Sequence, residues 1–104
     1  MSAKIKTYRS PAHLAWVRTL PSAVSDDHAE IYHHIIGVGY GLGGTGMKAS
    51  DLLTMPLTNV QHRDFHRDPK RWEAIYGDQS IWVMLTLAAK CEELYARIAE
   101  LEAK

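Results

Sequence analysis

The sequence predicts a small α+β domain in which two short strands and one helix form the core, flanked by an N-terminal helix and a long C-terminal helix. Three observations predict it. Residues 29–36 have the β-branched and aromatic content of a strand, Thr58-Asn59-Val60-Gln61 has the form of a helix-opening capping box, and the C-terminal segment repeats apolar residues every three or four positions.

The elements follow in chain order. Ser10-Pro11, then Ala12, Leu14, Ala15, Trp16 and Val17, reads as a helix with Ser10 as N-cap and Pro11 at its first position, stopping at Pro21. The strand at 29–36 ends in a histidine pair, His33-His34, and runs into residues 37–46, six of which are glycine. That stretch is a loop, because glycine reaches backbone conformations that other residues resist. Residues 51–57 give a second extended segment, interrupted by Pro56. The helix opened by Thr58 should run through His62 and His66 to Asp68-Pro69. A further helix over 69–76 is capped by Asp68 and closed by Gly77. Asp78 or Ser80 opens the last helix, which reaches about Ala103; Leu87, Cys91, Leu94, Ile98 and Leu101 form one apolar stripe on it. Such a stripe reads first as core, with Cys91 as a packing residue, and second as a homodimer contact. The chain is expected to be one domain over 1–104, with a core at 10–76 and the C-terminal helix at 79–103.

Composition narrows the classes. Hydrophobic residues make up 46% and charged residues 23%, the balance of a globular protein. No apolar run approaches the ~20 residues that span a bilayer. Lys4, Lys6 and Arg9 have no apolar stretch behind them that would serve as a signal peptide, so a cytoplasmic location and no membrane partner are expected. The single cysteine excludes an internal disulfide and a cysteine-rich zinc site built from this chain alone. Twelve basic and twelve acidic residues cancel. Locally, Arg63, Arg67, Lys70 and Arg71 cluster after the second histidine pair, while Glu92, Glu93, Glu100 and Glu102 lie in the tail. The basic cluster is either a solvated helix face or a phosphate-binding surface. Residues 41–46 match G-x-G-x-x-G in letters, but an extended segment follows where a dinucleotide fold needs a helix, and a P-loop fails because Met47 separates Gly46 from Lys48.

Of six histidines, four fall in two tight groups. Neighbours on a strand point to opposite faces, so His33 and His34 cannot both bind one metal there. On a helix, His62 and His66 are one turn apart on one face and can share a metal. Two ligands from the helix and one from the strand leave positions open for water and a phosphate oxygen. An open metal site beside a free imidazole is what phosphodiester hydrolysis needs, since the metal polarises the phosphate and the imidazole takes a proton from the attacking water.

Tyr32-His33-His34-Ile35, Gly43-Gly44-Thr45-Gly46, Lys48, Asp51, Pro56-Leu57 and His62-x-x-x-His66 together resemble the HNH nucleases of phages and prophages. The nearest group includes the RecA-dependent recombination-enhancement nuclease of phages and small prophage nucleases. The resemblance spans roughly residues 10–72. It implies a ββα-metal, treble-clef-like core, one divalent metal ion (Mg, Mn, Ni or Zn), DNA as substrate and a RecA-type recombinase as partner. By position it implies that His33, His62 and His66 ligate the metal, that His34 is the general base, and that Asp51 braces the loop and orients that base. Arg63, Arg67, Lys70 and Arg71 are the candidates for DNA phosphate contact. Relatives carry two Cys-x-x-Cys knuckles around a structural zinc; Ser22, Ser25, Thr58 and Gln61 stand at those positions here, so no structural zinc is expected. A non-catalytic module binding DNA or a recombination protein, and a metal-stapled structural dimer, are the rival readings.

Overall fold

The computed structural model describes residues 7–37 and 48–104, arranged as a two-stranded antiparallel sheet with four helices. The glycine-rich stretch, with Gly43-Gly44-Thr45-Gly46 and the G-x-G-x-x-G match, lies outside the described residues apart from Gly37. The domain is α+β. Among the described residues, no helix is long and apolar enough to cross a membrane.

Helix α1 (Pro11–Val17) opens as expected, with the Ser10 hydroxyl accepting from the His13 amide and Pro11 in the first turn. It stops four residues short of Pro21. Thr19 and Leu20 donate to the carbonyls of Trp16 and Val17, which tightens the last turn, and the Leu20 carbonyl then accepts from the Ala29 amide.

Strand β1 (Ile31–His34) is shorter than the apolar run that announced it, because ladder pairing with β2 (Thr54–Leu57) sets its length. The register pairs Ile31 with Leu57, Tyr32 with Pro56, His33 with Met55 and His34 with Thr54. Pro56 does not break the strand. Its carbonyl accepts from Ala23 at 2.8 Å, so this residue turns its hydrogen-bonding edge away from β1 and the missing N–H costs the ladder nothing. All four residues of β2 are buried, since α1 and α4 both pack on it. Asp51, expected in the extended segment, sits instead in the turn before it.

Helix α2 (Asn59–Arg67) begins with the predicted capping box: Thr58 accepts from the Gln61 amide, and Gln61 Oε1 accepts from the Thr58 amide at 2.9 Å. Gln61 reaches further than a cap requires. Its Oε1 also accepts from Ser22 at 2.5 Å, and its Nε2 donates to Ser25 at 2.9 Å. Ser25 in turn donates to Asp27 at 3.1 Å. Ser22, Ser25, Thr58 and Gln61 therefore form one closed hydrogen-bond network that ties the 22–25 turn to the start of α2.

Helix α3 (Pro69–Tyr76) runs from its Asp68 cap to Gly77, whose φ of 100° ends it where a residue with a Cβ would be strained. Helix α4 (Gln79–Glu102) has Asp78 as N-cap. The core joins Ile35, Ala49, Met55, Leu57, Phe65, Trp72 and Val83. In α4 the buried residues are Gln79, Val83 and Thr86, whereas Cys91, Leu94, Ile98 and Leu101 are exposed. The expectation that the stripe and Cys91 are core residues is therefore corrected. The sheet and the other helices cover only the first turns of α4, and a 24-residue helix, about 36 Å long, outruns them.

Replacing Gln61 with alanine removes the capping partner and strands Ser22 and Ser25, so urea unfolding should show a loss of about 1–3 kcal/mol. An unchanged midpoint would mean that water replaces the network at no cost.

Candidate metal centre

The adjacent histidines diverge as strand geometry requires. His33, paired with Met55, turns onto the core face, where its ring lies 4.4 Å from the Phe65 ring and is 1% exposed. His34 turns to the other face. There its Nε2 donates to Asp51 Oδ1 at 2.8 Å.

On α2 the spacing of His62 and His66 aims both rings at His33, with ring centroids 5.3 and 5.5 Å from it. One ring nitrogen from each of the three lies within 4.8 Å of the others, and the Nε2 atoms of His62 and His66 are 3.0 Å apart. The three predicted ligands thus converge. A cavity of about 330 Å³ opens beside them and includes His34, Tyr32 and Lys48 in its lining, so the predicted base shares the space of the predicted ligands.

Gln79, which no sequence signal singled out, decides the chemistry of His33. Its side-chain amide is gripped at both ends by Ile36: Nε2 donates to the Ile36 carbonyl at 2.7 Å, and Oε1 accepts from the Ile36 amide at 3.1 Å. That grip presents Oε1 to His33 Nε2, also at 3.1 Å. An amide oxygen only accepts, so His33 carries its proton on Nε2, and Nδ1 is left with the lone pair. Nδ1 is buried and meets no hydrogen-bond partner among the described residues. A buried lone pair beside two more imidazoles is costly alone and is satisfied by a cation. The residues therefore fit a metal ion. Three imidazole nitrogens favour Zn²⁺ or Ni²⁺ over Mg²⁺, which prefers oxygen. His66 is exposed, so the site has an open side.

Burial pushes the His33 imidazole down to about 4, against the raising effect of Gln79, and the neighbouring His62, His66 and His34 push the same way. Burial, then His66 and His34, lower His62 too. Both rings are thereby kept in the neutral form that ligates. Asp51 is held from three sides: besides His34, it accepts from the Ser10 amide at 2.7 Å and from Arg9 at 2.9 Å. Burial raises its carboxyl, but the bonds from His34, Ser10 and Arg9 outweigh this and bring it below the usual range. A carboxylate only accepts, so His34 keeps its proton on Nε2 and offers Nδ1 as a base.

The basic cluster does not stay together. Arg67 and Arg71 line a separate groove of about 450 Å³ between α2 and α3, facing Asp64 and Asp68 as well as Trp72 and Tyr76. Arg63 and Lys70 are exposed and line neither cavity. Among the described residues, Lys48 is the basic side chain that lines the histidine cavity. Arg9 and Ser10, like Gln79, were missed as site residues: they reach Asp51 across about forty residues of chain, a separation over which no local pattern operates.

Among known proteins, a family model described as a protein of unknown function (DUF968) matches residues 1–92. A curated relative, the uncharacterized protein YdfU of Escherichia coli (strain K12), is 42% identical over 64 residues, which make up 62% of this chain. Those residues span only 18% of that relative's length. No solved structure matches the chain.

Two measurements test the centre. Unfolded, His33 titrates near 6.5; folded, near 4. Between these the unfolded chain holds the extra proton, so metal-free stability should be full above about pH 6.5 and fall toward pH 4, by on the order of 3 kcal/mol. Urea titrations in chelator should show this fall, and His33→Leu should flatten most of it. Separately, Gln79→Ala should weaken Zn²⁺ or Ni²⁺ binding by about 10–100-fold in calorimetric titration. Equal affinity would show that the Gln79 contact does not set the ligand's tautomer.

Proposed function

This chain belongs to the DUF968 family of proteins of unknown function, and we propose that it is a metal-dependent DNA endonuclease with the ββα-metal core of the HNH nucleases. The observation that carries this reading is a three-histidine cluster sharing one cavity with His34, whose ring is hydrogen-bonded in turn to Asp51. A site that only stapled the fold would have no use for the His34–Asp51 dyad.

In this reading His33, His62 and His66 hold one divalent ion, with Zn²⁺ and Ni²⁺ ahead of Mn²⁺ and Mg²⁺. The ion, when bound, supplies a Lewis acid that polarises the phosphate and stabilises the departing 3′ oxygen. The chain's own residues do the rest. His34 Nδ1 takes a proton from the attacking water, and the imidazolium that results is stabilised by Asp51 through Nε2–H. Arg9 and the Ser10 amide keep Asp51 ionised and aimed. The Tyr32 ring, 5.6 Å from that of His34 and edge to face with it, limits how the base can swing. Lys48 is the side chain best placed to meet a DNA phosphate. Arg67 and Arg71 would extend the contact along the neighbouring groove, with Arg63 and Lys70 further out. A role in phage or prophage recombination, beside a RecA-type recombinase, rests on the HNH resemblance, whereas the cytoplasmic location in this reading rests on the N-terminal sequence.

Supercoiled and single-stranded DNA should be cut with Zn²⁺, Ni²⁺, Mn²⁺ or Mg²⁺ and spared in chelator. His34→Ala should lower the rate by about 10²–10⁴-fold while metal affinity is unchanged. Cleavage unaffected by that substitution would remove His34 from the base role. Salt-sensitive DNA binding with no cleavage under any metal would make the protein a binding module instead.

A further inference from the structure

Beyond residue 90 every side chain of α4 is exposed, yet this half of the helix is not polar. Leu94, Ile98 and Leu101 are 50%, 48% and 60% exposed, and Met84, on the same side nearer the core, is 63% exposed. A helix end with no core to cover is ordinarily charged all round.

The apolar residues follow a seven-residue repeat. With Met84, Cys91 and Ile98 at the first position (a) and Leu87, Leu94 and Leu101 at the fourth (d), the seam is unbroken over residues 84–101. Leucine at every d position, with a β-branched Ile98 at a, suits two strands. The flanking charges choose the direction. Lys90, Arg97 and Lys104 occupy the g positions, and Ala88, Tyr95 and Glu102 the e positions. In a parallel pair each g residue meets the e residue of the partner's next repeat, which sets Arg97 against the partner's Glu102. In an antiparallel pair g meets g, which sets Lys90 against the partner's Arg97 on both sides of the seam. Lys90 is already held 4.2 Å above the Trp16 ring of α1 and 3.4 Å from Glu93, so the Arg97–Glu102 pair carries the complementarity. We propose that residues 84–101 of α4 form a parallel two-stranded coiled coil with a second copy of this chain. The proposal does not depend on the nuclease reading.

Sedimentation equilibrium of the whole chain should show a concentration-dependent dimer. Leu94→Glu with Ile98→Glu changes only exposed residues and should give a monomer with the near-ultraviolet tryptophan signal unchanged. Arg97→Glu should weaken dimerisation about fivefold, and adding Glu102→Arg should restore it. Direction is read from Leu101→Cys in a Cys91→Ser background. Parallel helices bring the two new thiols together for oxidative crosslinking, whereas antiparallel ones hold them about 25 Å apart. A monomer at every concentration, a dimer that survives the double glutamate variant, or a dimer without the crosslink would each overturn the proposal.

Discussion

Pairing His33 with Met55 across the antiparallel ladder turns one member of an adjacent histidine pair into the core against Phe65 and leaves the other on the far face, opposite Asp51. Everything about the site depends on that register. A slip by one residue would exchange the faces, sending His34 among apolar side chains and His33 toward the carboxylate. The α2 histidines would then lose their third member, and the dyad its imidazole. Burial of the whole of β2 resists such a slip, because every side chain of that strand would have to leave its packed environment.

The two histidines then acquire opposite chemistry from the acceptors they meet. Both donate through Nε2, His33 to a neutral amide and His34 to a carboxylate. Burial keeps the His33 imidazole uncharged, and Gln79 fixes its proton on Nε2 so that the lone pair is on Nδ1. The Asp51 carboxylate likewise fixes the His34 proton on Nε2 and leaves the lone pair on Nδ1. In the proposed nuclease reading, one residue type on consecutive positions yields a ligand and a base, and the difference lies in burial and in the acceptors Gln79 and Asp51 rather than in the rings.

Those acceptors are fixed by closed polar networks at two ends of the sheet. Ile36 holds Gln79 through both backbone groups, and Arg9 with Ser10 holds Asp51 from the chain segment just before α1. A third network, through Gln61, Ser22, Ser25 and Thr58, anchors the start of the helix that carries His62 and His66. Among the described residues His33 Nδ1 is the buried side-chain atom of these networks left without a partner, and the rest are met, which is the condition under which polar contacts brace a small domain rather than weaken it.

The four helices, their caps and the one-turn spacing of His62 and His66 were legible in the sequence, because capping and helical periodicity act between residues one to four positions apart. The divergence of His33 from His34 was legible for the same reason, since strand alternation is a local rule. The ends of α1 and β1 were not, because a hydrogen bond from Ala29 to Leu20 and a four-residue partner strand set them. Nor was it legible that Arg67 and Arg71 share a groove with Asp64 and Asp68, that Gln79 meets His33, or that the stripe on α4 lies exposed. Periodicity marks which residues share a face; only the tertiary packing decides what, if anything, that face meets.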